Sequence, residues 1–417
     1  MLRGCDQRHM SRCERAVTVA LWLMAIAWVA RSLWFVEREF VPDYVFVPLV
    51  SLSMLSFFAA VWYGRGMTLF AHGFPRYFLL LYTVYMLWSA AIIVRSVKPE
   101  YYVIREIFAD PYNAWAWLVP VTVFLGTRLN VWRCICKIGL VHSELALFVA
   151  LPSGLLFLGI IYEFRLTYLA PFLLLISEYF DLKTKVIVCM SVVLQIVSNM
   201  SGGSRTSVVG SGLFVLAFLV VGRPTQQCGT GYGRLAKAAM FALLIVMSLW
   251  VLGAQNLGIS FLPEGANVKL ESFRAKLSVD SRTAADIQLF DYFWKDVKGI
   301  DRWFGRGCTG RYRAIGYEDR SAIESGYLHM ILKGGYVELV LFLLVVVPAI
   351  FSGFFCSRNV FSRACSSLVV IRLLTMFTFG LPAVRLDYVL FWLSIGVLWS
   401  RRIRQMSDAV LWKAIGV

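Results

Sequence analysis

Charged side chains are scarce in this chain of 417 residues, of which 16% are charged and 59% are hydrophobic. A soluble globular domain does not need that balance, whereas it is expected where most of the chain faces lipid. The net charge of +16 would suggest nucleic-acid binding in a soluble protein. In a membrane protein, however, Lys and Arg collect in cytoplasmic loops and beside lipid headgroups. The composition therefore predicts a polytopic membrane protein that does not bind nucleic acid.

Metal-ligand patterns and paired cysteines are lacking as well. The chain has four histidines, and its long polar segment has no His/Asp cluster at ligand spacing, so no metal or other cofactor is expected. Cys134 and Cys136 have no matching pair or His nearby and are better explained as two free thiols than as half of a metal site. Only Cys308 falls in a predicted outer loop, so the fold does not depend on a disulfide.

No internal repeat, low-complexity linker or soluble domain is recognisable, which predicts one membrane domain over residues 1–417. Apolar windows predict an all-α fold of roughly twelve transmembrane helices. Their approximate limits are 16–35, 44–63, 77–94, 113–127, 139–161, 167–180, 186–200, 207–222, 238–258, 332–355, 367–382 and 387–400.

The distribution of basic residues predicts the orientation. A basic N-terminal stretch precedes an apolar window long enough to span the bilayer and stay, which indicates a signal anchor with the N-terminus inside. Most basic residues of the short loops then fall at inner positions, as the positive-inside rule requires. Both termini are expected in the cytoplasm, and residues 259–331 form one large periplasmic loop with short helices.

The predicted outer side carries two arginines in contexts suited to an anion. Arg205 follows two glycines and several hydroxyls, among them Ser204, at the start of a new helix, where free backbone N–H groups attract anions. The alternative is a plain turn with a snorkelling arginine. Arg282 begins an amphipathic helix, Thr283 to Trp294, and a cation there opposes the helix dipole unless an anion is present. The alternative is an ion pair with Asp280 or Asp286.

Two further segments stand near the end of the loop. Residues 304–310 form a glycine-rich turn without the Lys-Ser/Thr ending of a P-loop, so backbone approach to a sugar or phosphate is more plausible than nucleotide binding. Glu324 precedes an apolar span, where a poorly solvated carboxylate is usable as a general base. The alternative is a helix cap. His329 can compete for the base role or simply be hydrogen-bonded.

Ionisable residues also fall inside predicted spans, where charge usually faces a cavity or a partner. They are Glu144, Glu178, Glu338 and Arg372. Glu338 and Arg372 are expected to pair between neighbouring spans in a structural role.

The order of four segments resembles the O-antigen polymerases and the wider polymerase/ligase group. These segments are Ser281-Arg282, Phe304-Gly-Arg-Gly307, Glu324-Ser-Gly-Tyr-Leu328 and Lys333-Gly-Gly335, followed by an apolar span. The Gly203 to Thr206 segment is similar to another recurring piece of those proteins. The resemblance covers roughly residues 195–350, while the earlier spans match only in hydropathy.

The resemblance implies a glycosyltransferase of the bacterial inner membrane that joins oligosaccharide repeat units carried on undecaprenyl diphosphate. Arg205 and Arg282 would then hold the diphosphate. Glu324 would be the base, in the position where related ligases have a His, which favours polymerase over ligase. The further residues expected to bind substrate are Ser204, Ser281, Arg306, Arg311, Tyr327, His329 and Lys333.

The partners implied are undecaprenyl-diphosphate-linked oligosaccharides, membrane lipids and a chain-length regulator protein. Two alternatives stay open. One is a ligase that moves finished glycan onto lipid A core, and the other is a flippase of lipid-linked oligosaccharides. A flippase is expected to show paired halves around central charges, whereas this chain has a long one-sided loop without a repeat.

Overall fold

The computed structural model describes residues 12–27, 43–63, 73–110, 112–150, 169–201, 205–221, 291–313, 319–320, 323, 325–377 and 382–415. Within these residues the chain is helical, and the one backbone bridge joins Tyr312 to Arg320. The predicted all-α class is confirmed for this part of the chain.

The helices follow one another in this order. They are α1 (12–27), α2 (Asp43–Tyr63), α3 (Arg76–Val94), α4 (Tyr101–Ala109), α5 (Ala114–Leu118), α6 (Leu129–Ala150), α7 (Ala170–Leu175), α8 (Leu182–Ser201), α9 (Arg205–Val221), α10 (291–296), α11 (Ile300–Phe304), α12 (Gly326–Phe355), α13 (Val360–Thr375), α14 (Leu386–Trp399), α15 (Arg401–Gln405) and α16 (Asp408–Ile415). Two 3-10 helices, Val119–Thr127 and Ser177–Tyr179, follow α5 and α7.

Four helices of the described residues are long and apolar enough to cross a membrane. They are Val45–Tyr63, Arg76–Val94, Leu182–Asn199 and Gly326–Phe355. Ala114–Thr127 and Leu386–Trp399 are apolar but shorter. The chain thus has the helices of a membrane protein, while the count of twelve spans stays a prediction. The predicted span 238–258 lies outside the described residues, as do parts of several others.

Two helix boundaries differ from the apolar windows. The span predicted from residue 139 belongs to α6, which begins ten residues earlier at Leu129. Arg133 and Lys137 lower the hydropathy of this first part, although Val131, Trp132 and Ile135 on its other face are buried. The last long span begins at Gly326 rather than 332, because its first turns are buried in the protein.

The chain divides into two compact units. The first contains residues 1–135 and 281–410, and the second contains residues 136–280 and 411–417. The single-domain assignment stays a prediction.

The first unit is built around α14. Every residue from Tyr388 to Trp399 is buried, which fits a helix that is apolar on all sides. Two glycines bring its backbone against the 3-10 helix Val119–Thr127. A side chain at Gly126 would collide with the carbonyl of Leu393, and one at Gly396 would collide with the carbonyl of Val123. Small residues at a helix crossing allow this close approach.

The second unit contains α7, α8 and α9, together with most of α6. Gly139 of α6 lies against Leu169 and Leu173 at α7, where a larger side chain would not fit. The Ser191 hydroxyl of α8 donates to the Ser143 carbonyl of α6 at 3.4 Å. The short helix Ala170–Leu175, six residues long, depends on such packing against its neighbours, because a helix of this length is not stable alone.

Candidate functional site

The long helix α12 is broken at Gly335, near its N-terminal third. Gly335 has φ 74° and ψ −175°, a conformation essentially limited to glycine. The preceding carbonyls of the helix therefore need new donors. Arg306 N–H donates to the Leu332 carbonyl at 2.8 Å, and Gly307 N–H donates to the Lys333 carbonyl at 2.9 Å.

The donors come from the glycine turn that was predicted over residues 304–310. Gly305 has φ 69° and Gly307 has φ 83°. A side chain at Gly305 would collide with the Lys333 carbonyl, and one at Gly335 would collide with the Trp303 carbonyl. The two glycine motifs therefore fit against each other. The turn makes a close backbone approach to α12. The predicted approach to a sugar or phosphate stays a prediction.

The end of α3 holds the other side of this turn. Arg95 donates from its two terminal nitrogens to the carbonyls of Phe304 at 2.6 Å and Gly305 at 2.8 Å. Cys308 N–H donates to the Ile92 carbonyl at 3.2 Å, and Thr309 N–H donates to the Ser96 hydroxyl at 3.3 Å. Residues 304–310 are thus held between α3 and the break in α12. We call these residues the docked turn.

Arg306, predicted to bind substrate, makes ion pairs and hydrogen bonds with other residues of the loop. Its guanidinium pairs with Asp296 and, at 2.8 Å, with Asp301. It also donates to the carbonyls of Asp296 and Arg311. Burial lowers the pKa of Arg306, but the hydrogen bonds that it donates to Asp301 and Asp296 more than offset this, and its pKa is raised. Burial raises the pKa of Asp296. Hydrogen bonds from the Arg313 N–H and from Arg306 more than offset this, so the pKa of Asp296 lies below its usual value.

Arg311 is the more accessible of the two predicted loop arginines. Its side chain is 50% exposed and pairs with Glu106 of α4 at 2.8 Å. The hydrogen bond that Arg311 donates to Glu106, together with the charge of that carboxylate, raises the pKa of Arg311. This guanidinium keeps its charge and remains open to solvent on one side, as a phosphate contact requires.

His329 and Lys333 lie one turn apart on α12 and are both fully buried. Lys333 Nζ donates to the Gly310 carbonyl at 2.9 Å, and its charge faces Asp110, Cys308 and Glu106. The His329 ring stands edge-on to Tyr112 at 6.5 Å between ring centroids. His329 is thus enclosed by protein in the first turns of α12, and its role as a base or a substrate contact stays a prediction.

Tyr327 fastens the start of α12 to the end of α13. Its hydroxyl donates to the Leu373 carbonyl at 2.9 Å, and its ring packs on Phe377. The neighbouring Gly326 N–H donates to the Met376 carbonyl at 2.8 Å. Tyr327 thereby helps to fix where the segment before α12 enters the bundle.

The part of the loop before the docked turn packs by aromatic side chains. Of the predicted amphipathic helix from Thr283, residues 291–296 are described and helical. Phe293 is fully buried in a cluster with Tyr312 and Leu328. Arg302 lies over the Trp294 ring at 5.0 Å. The loop thus has its own small core against the start of α12.

Several predicted site residues lie outside the described residues, namely Ser204, Ser281, Arg282 and Glu324. Arg205 begins α9, but its side chain is not described. Among the described residues, no group of three or more His, Cys, Asp or Glu is placed to hold a metal ion. The sequence analysis missed Arg95 and Glu106, because both fall between the predicted spans 77–94 and 113–127 and belong to no recognisable motif.

The predicted pair of Glu338 with Arg372 is wrong. Arg372 pairs with Asp387 of α14 at 2.9 Å, because the first turn of α14 brings this carboxylate against α13. Glu338 is fully buried elsewhere, beside Tyr85 of α3.

Comparison with known proteins supplies no relative at the level of the whole chain or of its parts. No family model, curated protein or solved structure matches this chain.

Proposed function

We propose that this protein is a membrane glycosyltransferase that polymerises undecaprenyl-diphosphate-linked oligosaccharide repeat units. The product would be O-antigen or a related surface polysaccharide, made at the outer face of the bacterial inner membrane. Both termini would lie in the cytoplasm, and the loop with the docked turn would face the periplasm.

One observation carries the proposal. Two of the segments on which the resemblance rests, Phe304–Gly307 and Lys333–Gly335, bind each other through their backbones. Their glycines are the residues that such close contact requires. Segments that are merely similar by chance have no reason to be complementary in space. Their fit supports reading them as parts of one functional unit.

The surroundings of the docked turn suit a lipid-linked substrate. Helix α11 exposes Ile300, Trp303 and Phe304 beside the basic Arg302. Exposed aromatic and apolar side chains next to a basic residue are typical of segments at the membrane–water boundary. A sugar carried on a polyprenyl diphosphate presents its reactive carbon at that boundary.

The chemistry proposed for the site needs no nucleotide. Glu324 accepts the proton of the acceptor hydroxyl, whose oxygen bonds to the anomeric carbon of the growing chain. The bond from that carbon to the diphosphate oxygen breaks, and undecaprenyl diphosphate leaves with the electron pair. Arg205 and Arg282 stabilise the leaving charge, with Arg311 as a further contact. One Arg at about 4 Å contributes on the order of 4 kcal/mol at an effective dielectric near 20.

The test uses purified protein in lipid nanodiscs with undecaprenyl-diphosphate-linked repeat units. We expect a ladder of products longer than one unit, which is lost in Arg205→Ala, Arg282→Ala and Glu324→Gln. Arg313→Ala is the matched control, because this side chain is 81% exposed and meets Asp319 only at 3.9 Å. A full ladder in all three site variants would refute the proposal.

Two other outcomes identify the alternatives. Transfer of preformed polymer to lipid A core, without elongation, would indicate a ligase. Movement of lipid-linked units across a liposome membrane, without any new glycosidic bond, would indicate a flippase. Either outcome replaces the proposal.

A further inference from the structure

A second polar cluster lies among the helices, apart from the predicted site. Glu338 of α12 is fully buried, and both of its carboxyl oxygens are without a hydrogen-bond partner of good geometry among the described residues. Three hydroxyls are buried and unpartnered in the same sense, those of Tyr85 and Ser89 on α3 and of Tyr388 on α14. Buried polar groups without partners are rare and indicate a ligand or a proton that completes them.

These four side chains are neighbours. Tyr85 lies beside Glu338, and its hydroxyl also faces Ser89 and Tyr388. The Trp392 ring packs on Tyr85 at 5.3 Å and on Tyr388 at 6.3 Å. The carboxyl group and the three hydroxyls therefore share one enclosure, which three helices form and an indole ring walls off.

Among the residues that the structure describes, the enclosure contains no cation that pairs with Glu338. Arg372 faces Tyr388 but pairs with Asp387, as does Arg385 at 3.3 Å. Lys333, on the same helix as Glu338, donates to the Gly310 carbonyl. A buried carboxylate without a counter-charge is strongly disfavoured, whereas the neutral acid can both donate and accept hydrogen bonds.

We propose that Glu338, with Tyr85, Ser89 and Tyr388, forms an intramembrane proton-binding site whose ionisation releases the docked turn. This inference does not depend on the proposed function. It concerns a proton held by the helix bundle, and it would stand for any activity of the loop.

The cluster around Glu338 and the docked turn both involve helices α3 and α12. A side chain at Gly334 would collide with both Glu338 and Ile92, so the carboxyl lies directly beside the α3–α12 contact. Ile92, Trp88 and Arg95 of α3 also hold the docked turn and the break. Water that hydrates an ionised Glu338 from the side of α3 must separate α3 from α12. The same separation removes both supports of the turn.

The first experiment detects the proton. Infrared difference spectra of the purified full-length protein in detergent are recorded while the pH is raised from neutral. We expect the carbonyl stretch of a protonated carboxyl at neutral pH, its loss at alkaline pH, and its absence at every pH in Glu338→Gln. A spectrum identical in wild type and Glu338→Gln would overturn the site. Should that variant not fold, Tyr85→Phe keeps the test, because removing one hydroxyl must shift the frequency of the band.

The second experiment measures release of the turn. Cys308 is fully buried, so its rate of alkylation by a maleimide, followed by mass spectrometry of its peptide, reports undocking. Between about pH 7 and about pH 9 we expect the rate in wild type to rise by about tenfold beyond the rise in Glu338→Gln. The variant corrects for the titration of the thiol itself. Equal pH profiles in the two proteins would refute the coupling.

Discussion

The substitution Gly335→Ala tests whether the break in α12 and the glycine turn hold each other. The backbone conformation at Gly335 costs a non-glycine residue about 1–3 kcal/mol. The new methyl group would also collide with the Trp303 carbonyl, which is backbone and cannot rotate away. Undocking would forfeit the hydrogen bonds from Arg306 and Gly307, each of which contributes about 0.5–1.5 kcal/mol. Those bonds oppose undocking and do not add to the loss, so the strain and the collision together should destabilise the docked state by about 3 kcal/mol, or about a hundredfold in the docking equilibrium.

Gly299→Ala is the matched control for this experiment. Gly299 also has a positive φ, 55°, with ψ −126°, but its added methyl group would meet nothing within 4 Å. It therefore incurs the conformational cost without the collision. In native detergent extracts we expect Cys308 to become reactive to maleimide in Gly335→Ala and to stay protected in Gly299→Ala. Equal protection in both variants would show that the collision does not matter, and would refute the mutual fit of the two motifs.

Three further predictions concern charged side chains. Arg95→Met should expose Cys308 to alkylation, because each of its two bonds to carbonyls contributes about 1.5–3 kcal/mol, whereas Arg95→Lys should retain partial protection. Asp296→Asn should lower the thermal stability at neutral pH and flatten its acid dependence. The lowered folded-state pKa of Asp296 stabilises the fold above the ordinary carboxyl pKa, and this contribution is lost as the pH falls through the lowered value. Melting curves in which wild type and Asp296→Asn lose stability alike in acid would contradict this. Arg311→Ala should change the melting temperature little, since an exposed ion pair contributes about 0–1 kcal/mol. The same substitution should shorten the polymer ladder. A normal ladder would remove Arg311 from the proposed site.

Hydropathy predicted the helices whose apolar stretch is unbroken. It missed helix boundaries where polar or charged residues belong to a helix that is buried in the protein. α2 and α3 match their predicted windows closely, because lipid-facing helices need apolar residues on nearly every side. α6 begins before its window, since Arg133 and Lys137 interrupt the apolar count without ending the helix. The predicted windows 113–127 and 387–400 are short, and both belong to elements that are packed against each other inside the protein.

The glycine turn was predictable, but its partner was not. The glycine-rich turn follows from the local sequence, whereas the groups that Gly305 and Gly307 approach are distant in the chain. Gly305 approaches the Lys333 carbonyl, and Gly307 approaches Ser96 and the Ile92 carbonyl. Arg95 is separated from Phe304 by 209 positions, so no local pattern indicates that they meet. The same applies to Glu338, for which an ion pair on α13 was predicted and whose neighbours Tyr85 and Tyr388 lie on α3 and α14. Contacts of this kind are set by packing of the whole bundle.

The 3-10 helix Val119–Thr127 has a consequence for the order in which the protein assembles. A 3-10 helix has weaker backbone hydrogen bonds than an α-helix, and lipid offers no replacement donors. Its cover, α14, is synthesised more than two hundred and fifty residues later, as the residue numbers show. In the ribosome-bound chain this segment must therefore wait in another conformation or under a chaperone. Nascent chains stalled before Leu386 should accordingly be substrates for membrane quality-control proteases, and those that extend past Trp399 should escape them.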